Sequence, residues 1–353
     1  MVEHNIRTVL ARSRRPMATL AEQSRIPQEL LDRAHRGDLG GWTTSMVERL
    51  ANAVGVDPAA IWSDKPLESS PTLAFLRGLW KDFHPDDLDA FDEALERGAS
   101  LRAALRCVGA DVGWSAFTAE PARGAPYEHG YELARKVRRW LEQESEPLGD
   151  LHDLLGLRFG VPVVQATLRT ARLWAATIGT EEARAVIARA GQPPILLRRT
   201  LAHELCHVLF DDVSGGTIVE IDTDDSNDRN EPIERRARAF AAEFLVPRDG
   251  LIRKLGVPQH TVDFVNAQHL VAEAARAFGA PWELVVNHLV NHKWIAQSEP
   301  LRRRLIEDGR SPDEVDWPAT SQTDWLKVRV GEALEQDAIT EGRAHELSRD
   351  LAE

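Results

Sequence analysis

Apolar residues recur at helical spacing through the first 62 residues of the chain. The triplet SRI at residues 24–26 interrupts the first stripe, as expected where a short turn joins two crossed helices. A later stripe contains Leu50 and Val54 and ends at Gly55, and Pro58 is suited to begin a further short helix. The pattern therefore predicts a helical bundle. The apolar positions of its first two helices are Leu20, Ala21, Ile26, Leu30 and Leu31.

Two stretches that contain two prolines each, residues 64–72 and 117–128, are typical of linkers. Between them, apolar residues recur three and four positions apart without a catalytic pattern, which predicts a helical spacer. Cys107 lies in this spacer among apolar neighbours and has no flanking base, so we expect a buried structural thiol there.

A different pattern begins at His129. The segment GYELARKVRRWL predicts a helix, and RRTLAHELCHVLF predicts another. Between them lie short runs rich in Val, Ile and Leu, punctuated by Gly and Pro, which we interpret as strands. The predicted fold class is therefore mainly α with a small β-sheet, an α+β arrangement. The predicted strand segments are FGVPVVQATL, RLWAATIG, ARAVIARA and PPILL.

The remainder of the chain also has helical periodicity. Two apolar stripes broken at Gly279 predict a pair of helices, and the last fifty residues predict amphipathic helices that dock on the body or on a partner. His269, His288 and His292 lie in this region. His288 and His292 are four residues apart, but no Glu follows the first and no third ligand stands at a suggestive spacing. We therefore expect solvated or capping histidines.

Net charge and cysteine content restrict the possible functions. A formal net charge of -13 over 353 residues argues against affinity of the whole protein for nucleic acid or anionic lipid, although a locally basic face could still bind DNA. The chain contains two cysteines, no apolar signal-peptide core after MVEHNIRTVL and no apolar run of membrane-spanning length. We therefore expect a reduced, cytosolic protein.

The N-terminal bundle resembles the helix-turn-helix domain of the Xre/Cro repressor family in the order of its helices. The candidate DNA-contacting residues on and after its second helix are Gln28, Arg33 and Arg36, whereas Glu29 and Asp32 would repel phosphate. Residues 1–40 contain seven Arg against five Asp and Glu, a small positive excess for a DNA-binding domain. DNA binding and a helical bundle used for protein contacts both remain open.

The segment RRTLAHELCHVLF contains the spacing HExxH. Residues four apart share a helix face, so His203 and His207 can direct their imidazoles at one metal ion, while Glu204 can reach a water on that ion. A third ligand is predicted 27 residues after His207. Glu234 lies on an otherwise small and apolar helix stripe, where an acidic side chain is costly unless it is paired or bound to metal.

These two segments, RRTLAHELCHVLF and ERRARAFAAEFLVP, resemble the ImmA/IrrE family of bacterial metallopeptidases, and the resemblance covers about residues 129 to 300. It implies one zinc ion held by His203, His207 and Glu234, with Glu204 as the general base. Cys206 stands where the family usually has Gly, and Arg238 where it usually has Asn. Cys206 could bind metal or be oxidised, but packing is favoured because it points about 100° away from His207 on a helix.

The resemblances together predict four regions and one leading function. That function is cleavage of a protein, a cognate transcriptional repressor, in response to stress, DNA damage or phage infection. Two alternatives remain: a DNA-binding regulator with a vestigial peptidase site, and an antitoxin-like protein that binds a partner without cleaving it. The regions are an Xre-like helix-turn-helix domain (1–65), a helical spacer (66–125), a zincin-like metallopeptidase core (126–250) and a C-terminal helical region (251–353).

The acidic run DTDDSNDRNE, residues 222–231, does not fit a calcium loop. An EF-hand register that starts at Asp222 puts Asn227 where Gly is needed and Ile233 where the bidentate acid belongs. We expect a solvated loop that could shield the zinc or attract a basic substrate segment.

Overall fold

Helices surround one four-stranded mixed sheet in the part of the chain that the computed structural model describes. This confirms the predicted fold class of mainly α with a small β-sheet. The described residues are 2–12, 17–54, 58–62, 88–121, 123–169, 173–180, 183–211, 218–223, 232–309, 317–318, 321 and 323–349. The strands are β1 (Val163–Ala166), β2 (Leu173–Gly179), β3 (Arg184–Arg189) and β4 (Ile218–Thr223).

The helices follow in chain order, with a short 3-10 turn at Gly113–Ala116 and a turn of π-helix at Leu155–Phe159. They are α1 (Val2–Arg12), α2 (Met17–Ser24), α3 (Gln28–His35), α4 (Thr44–Val54), α5 (Pro58–Trp62), α6 (Leu88–Cys107), α7 (Pro126–Trp140), α8 (Leu151–Leu154), α9 (Pro194–Phe210), α10 (Pro232–Leu245), α11 (Arg248–Leu255), α12 (Phe264–Phe278), α13 (Trp282–Asn291), α14 (Glu299–Glu307), α15 (Trp325–Glu335) and α16 (Glu341–Arg349).

The strand order across the sheet is β1-β3-β2-β4. β1 and β3 are parallel, whereas β2 runs antiparallel to both β3 and β4, with Thr177 opposite Val186 on one side and Glu220 on the other. The strand β4 was not predicted. The prediction of a strand at PPILL is wrong, because these residues open α9: Pro193 is the N-cap and Pro194 the first helical residue, a position that suits the fixed φ of proline.

Side chains of β2 and β3 alternate between two buried faces, as the period of two in a strand requires. Ala175 and Ala188 pack with residues of α9, whereas Ala176 and Ile187 pack with Phe91 of α6. The strand residue Thr177 has the same parity as Ala175, so its side chain points to the α9 face. This alternation places a buried hydroxyl against the helix that contains HExxH.

Helix α6 lies in the stretch predicted as a spacer, and it packs directly on the sheet. A Cβ at Gly98 would lie 2.6 Å from the carbonyl oxygen of Arg184, so only glycine permits this approach. Cys107 is exposed, which makes the prediction of a buried thiol wrong. It is the last residue of α6, and the buried stripe of that turn runs through Leu101, Ala104 and Leu105 instead.

Helices α7 and α10 pack closely against each other, with α9 and α13 also against α10. At Gly130 of α7, a Cβ would overlap the carbonyl oxygen of Arg236, so the glycine allows the two backbones to approach. The helix predicted from His129 corresponds to α7. The helix break predicted at Gly279 is also present, because α12 ends at Phe278 and Gly279 adopts a left-handed φ of 58°.

The N-terminal helices α1 to α5 have a hydrophobic core of their own, which includes Ile6, Leu20, Leu31 and Leu50. Helices α2 and α3 occupy the positions where the sequence predicts two helices joined by a turn. The limits of the four predicted regions stay predictions, and the linker predicted at 64–72 lies outside the described residues. Among the helices described, none is both long and apolar enough to cross a membrane.

Candidate metal centre

Helix α9 presents its two histidines on one face. Their Nε2 atoms lie 3.0 Å apart, as expected for side chains four residues apart that converge on one point. The helix is buried on nearly every side, with His203 and His207 at 4% and 2% exposure. Polar side chains at such positions require partners, because their desolvation is otherwise unfavourable.

Helix α10 supplies the third group. Glu234 Oε2 lies 3.3 Å from His203 Nε2, and Glu234 Oε1 lies 3.4 Å from His207 Nε2. Two ligand atoms about 2.1 Å from a tetrahedral zinc ion lie about 3.4 Å apart, so these separations fit one ion. The structure therefore brings together His203, His207 and Glu234, the three residues predicted as metal ligands.

The charge state of Glu234 suits metal binding. Burial alone would raise the pKa of its carboxyl, but the facing His203 and His207 hold the pKa well below its ordinary value. A carboxylate that stays ionised and faces two imidazoles provides the donor set of a His₂Glu zinc site.

Glu204 is fully buried and is not one of the three converging groups. Its Oε2 accepts a hydrogen bond of 2.6 Å from the Thr177 hydroxyl, and the same hydroxyl lies 3.1 Å from the Glu204 carbonyl oxygen. Thr177 reaches it from β2 because that strand turns this side chain toward α9. The hydroxyl fixes the carboxylate orientation, and the sequence contained no signal for this residue.

A second carboxylate orients His207. Asp211 Oδ2 lies 2.7 Å from His207 Nδ1, which leaves Nε2 as the nitrogen directed at His203 and Glu234. The other oxygen of Asp211 pairs with the guanidinium of Arg236, which also donates a 2.6 Å hydrogen bond to the Glu120 carbonyl. Asp211 was missed in the sequence, although it stands four residues after His207, a spacing that permits this contact on one helix face.

The two departures from the family pattern have different surroundings. Cys206 is fully buried, and this burial raises the pKa of its thiol to about 12, which favours packing over a redox role. Arg238 is partly exposed, and its Nη1 lies 3.7 Å from Glu234 Oε2 at the edge of the centre. Residues 224–231 of the predicted acidic loop lie outside the described residues.

The candidate DNA-contacting residues lie on α3 and at its end, within the N-terminal bundle. Gln28 begins the helix and Arg36 caps it, and both are exposed. Arg33 donates a 2.8 Å hydrogen bond from Nε to Asp38 Oδ2. The Gly40 backbone and Arg33 together lower the pKa of that carboxyl. DNA binding through these residues stays a prediction.

Two histidines expected to be solvated or capping have different surroundings. His288 is 1% exposed, and with His292 it faces Glu243, a carboxylate that the sequence did not single out. The prediction is therefore wrong for His288, whereas His292 is the C-cap of α13 and His269 is exposed, as expected. The third group of this cluster, Glu243, comes from α10, which packs against α13 but is distant from it along the chain.

Comparison with known families bears on the cluster formed by His203, His207 and Glu234, which we call the first cluster. Residues 158–289 match the family model Peptidase_M78, described as the IrrE N-terminal-like domain. A search of curated proteins returned no match. The matched residues include β1 to β4, both histidines of the HExxH segment and Glu234. This segment is therefore similar to metallopeptidase domains of the ImmA/IrrE type, a family that depends on zinc.

Proposed function

We propose that this chain is a zinc-dependent endopeptidase that cleaves a transcriptional repressor in response to stress, DNA damage or phage infection. One observation carries the peptidase assignment. Three buried donor atoms converge at separations of 3.0 to 3.4 Å, and beside them stands a glutamate whose carboxylate is held by Thr177. The matched family model supports the same assignment.

His203, His207 and Glu234 would hold the zinc ion. When bound, zinc supplies Lewis acidity to the scissile carbonyl and increases the acidity of a water molecule. Glu204 takes one proton from the attacking water as it adds to the carbonyl carbon. The C–N bond then breaks, and Glu204 returns this proton to the leaving amine, so that the products are a carboxylic acid and an amine.

Substrate alignment requires a free strand edge. The strand that precedes α9 in the chain, β3, lies between β1 and β2, so both of its edges are occupied. Among the strands described, β1 and β4 are the outer ones. β4 pairs directly with β2, the strand from which Thr177 contacts Glu204. The outer edge of β4 is therefore one strand away from this contact, whereas the outer edge of β1 is two strands away. We propose that the substrate backbone pairs with β4.

The test uses a small repressor encoded beside this chain as the candidate substrate. Purified protein is incubated with it, the two are also co-expressed with and without DNA damage, and products are identified by intact mass. We expect one cut that Glu204→Gln abolishes and that the exposed-residue control Glu335→Gln leaves unchanged. Equal cutting by the Glu204→Gln variant would contradict the mechanism. A stable complex without cleavage under any stress would favour the antitoxin-like alternative.

A further inference from the structure

A second group of metal-ligating side chains lies between α10 and α13. Glu243 comes from α10, His288 from the last turn of α13, and His292 caps that helix. Glu243 Oε2 lies 3.4 Å from His288 Nε2 and 3.3 Å from His292 Nε2. The three groups offer ligand atoms that all lie within 4.8 Å of one another.

The two distances from Glu243 to the histidines have the same size as those from Glu234 to His203 and His207, and they fit the roughly 3.4 Å edge of a tetrahedron around a zinc-sized ion. The two carboxylate oxygens of Glu243 have different environments. Oε1 faces the Arg248 backbone N–H at 3.3 Å and Arg135 Nε at 3.7 Å. Oε2 faces the two imidazoles and has no hydrogen-bond partner among the described residues, so this oxygen is available to an ion.

The converging atoms lack hydrogen bonds. Within the described part of the chain, no group completes a hydrogen bond to Glu243 Oε2 or to Nε2 of His288 or His292. Glu243 and His288 are each 1% exposed. Burying a carboxylate and two imidazoles without satisfied hydrogen bonds is costly, and a divalent cation at their centre would satisfy all three.

The surrounding residues hold the imidazoles in position. The Tyr131 ring packs edge-on against His288, with centroids 5.4 Å apart, and lies 5.1 Å from the ring of His292. Its hydroxyl accepts a 3.0 Å hydrogen bond from Asn291 Nδ2. The side chain of His292 is 13% exposed, which gives a route by which an ion and a water ligand can enter.

The group formed by Glu243, His288 and His292, which we call the second cluster, is separate from the first cluster. Glu234 and Glu243 are nine residues apart on α10, which corresponds to about 14 Å along the axis and about 180° of rotation. The two carboxylates therefore point to opposite faces of one helix. His292 also lies beyond residue 289, where the match to the family model ends.

We propose that Glu243, His288 and His292 bind a second divalent metal ion of the zinc class, which links α10 to α13. Two imidazoles, which are borderline donors, together with one carboxylate form a ligand set suited to zinc, cobalt or related ions. The site lacks the general base of the first cluster, because the residue after His288 is the fully buried Leu289, where the first cluster has Glu204; we therefore assign the ion the role of connecting the two helices. This proposal does not depend on peptidase activity.

The test isolates the second cluster by removing the first. The His203→Ala/His207→Ala double variant is stripped of metal and titrated with Co²⁺, while visible absorption and elemental analysis report binding. We expect one cobalt per chain. Adding His292→Ala should abolish binding, and so should the isosteric Glu243→Gln, whereas the exposed control His269→Ala should retain one equivalent. Circular dichroism checks that each variant is folded.

Two results would overturn the proposal: no cobalt bound by the double variant, or binding that survives both His292→Ala and Glu243→Gln. The first would identify the cluster as a buried His–Glu ion pair. Wild-type protein that binds two equivalents of metal but cuts no substrate would reject the proposed function and leave the second site intact. Wild-type protein that cuts its substrate with one equivalent of metal bound would support the proposed function and reject the second site.

Discussion

The two clusters on either side of α10 have the same three donors. Each combines two histidines four residues apart near the end of a helix with one glutamate from α10, at carboxylate–imidazole separations of about 3.3 to 3.4 Å. They differ in what surrounds the donors. In the first, Glu204 follows the first histidine and Asp211 lies behind the second. In the second, Leu289 takes the place of Glu204.

If both sites function as proposed, the ligand set by itself does not determine the chemistry. The HExxH cluster has a carboxylate positioned to move a proton and another to orient its imidazole. The second cluster has an aromatic ring, Tyr131, against both histidines, and Leu289 rather than an acid follows His288 in the chain. The first arrangement suits catalysis and the second suits a fixed connection between helices.

Metal removal should have the largest effect. At free zinc about a thousandfold above Kd, each occupied site stabilises the native state by about 4 kcal/mol, so two independent sites give about 8 kcal/mol. Urea unfolding with zinc and with chelator measures the difference. The His203→Ala/His207→Ala variant should retain about half of this zinc-dependent difference in the free energy of unfolding. Adding His292→Ala should remove the remaining half. An unchanged free energy of unfolding on chelation would contradict both sites.

Asp211→Asn tests the carboxylate that only the first cluster has. Loss of such a partner behind a metal-bound imidazole costs about 10- to 100-fold in metal affinity. We expect this decrease for one of the two bound ions in a competition titration against a chelator of known affinity. Asp249→Asn, at an exposed position, is the control. Equal weakening of both ions would show a general loss of packing, because Asn also disrupts the Arg236 pair.

The features predicted from the sequence were the local ones. His203 and His207 share one helix face through spacing alone, and Glu234 was recognisable as an acid on an apolar stripe. Glu243 and His288 are 45 residues apart, so only the packing of α10 against α13 could reveal their contact. The segment PPILL failed because short apolar runs are ambiguous between strand and buried helix.

Thr177→Val tests how Glu204 is positioned. Valine keeps the shape of threonine but removes the hydroxyl that donates to Glu204 Oε2. We expect kcat to fall about tenfold, a fraction of the 10²- to 10⁴-fold that general-base catalysis contributes, while KM and metal content stay unchanged. Thr177→Ser should restore most of kcat. A decrease in metal content, or no rescue by Ser, would show that the hydroxyl supports packing instead.

The smallest effect concerns the thiol of Cys206, which lies on α9 beside His207. With a pKa of about 12, only about one part in ten thousand of this thiol is ionised at pH 8, and burial also blocks access of a reagent. In Cys107→Ser protein, labelling of Cys206 at pH 8 should therefore be slow. Even at pH 9, it should stay far slower than labelling of the exposed Cys107 in Cys206→Ala protein.

Removal of metal by a chelator should change the labelling rate of Cys206 little. Helix α9 is held by apolar contacts that include Leu201 and Leu205, as well as by its proposed metal ligands. Fast labelling of Cys206 in metal-free protein would instead show that α9 opens when its proposed ion leaves. The first site would then be as structural as the second, and the contrast between a catalytic ion and a connecting ion would be reduced to the presence of Glu204.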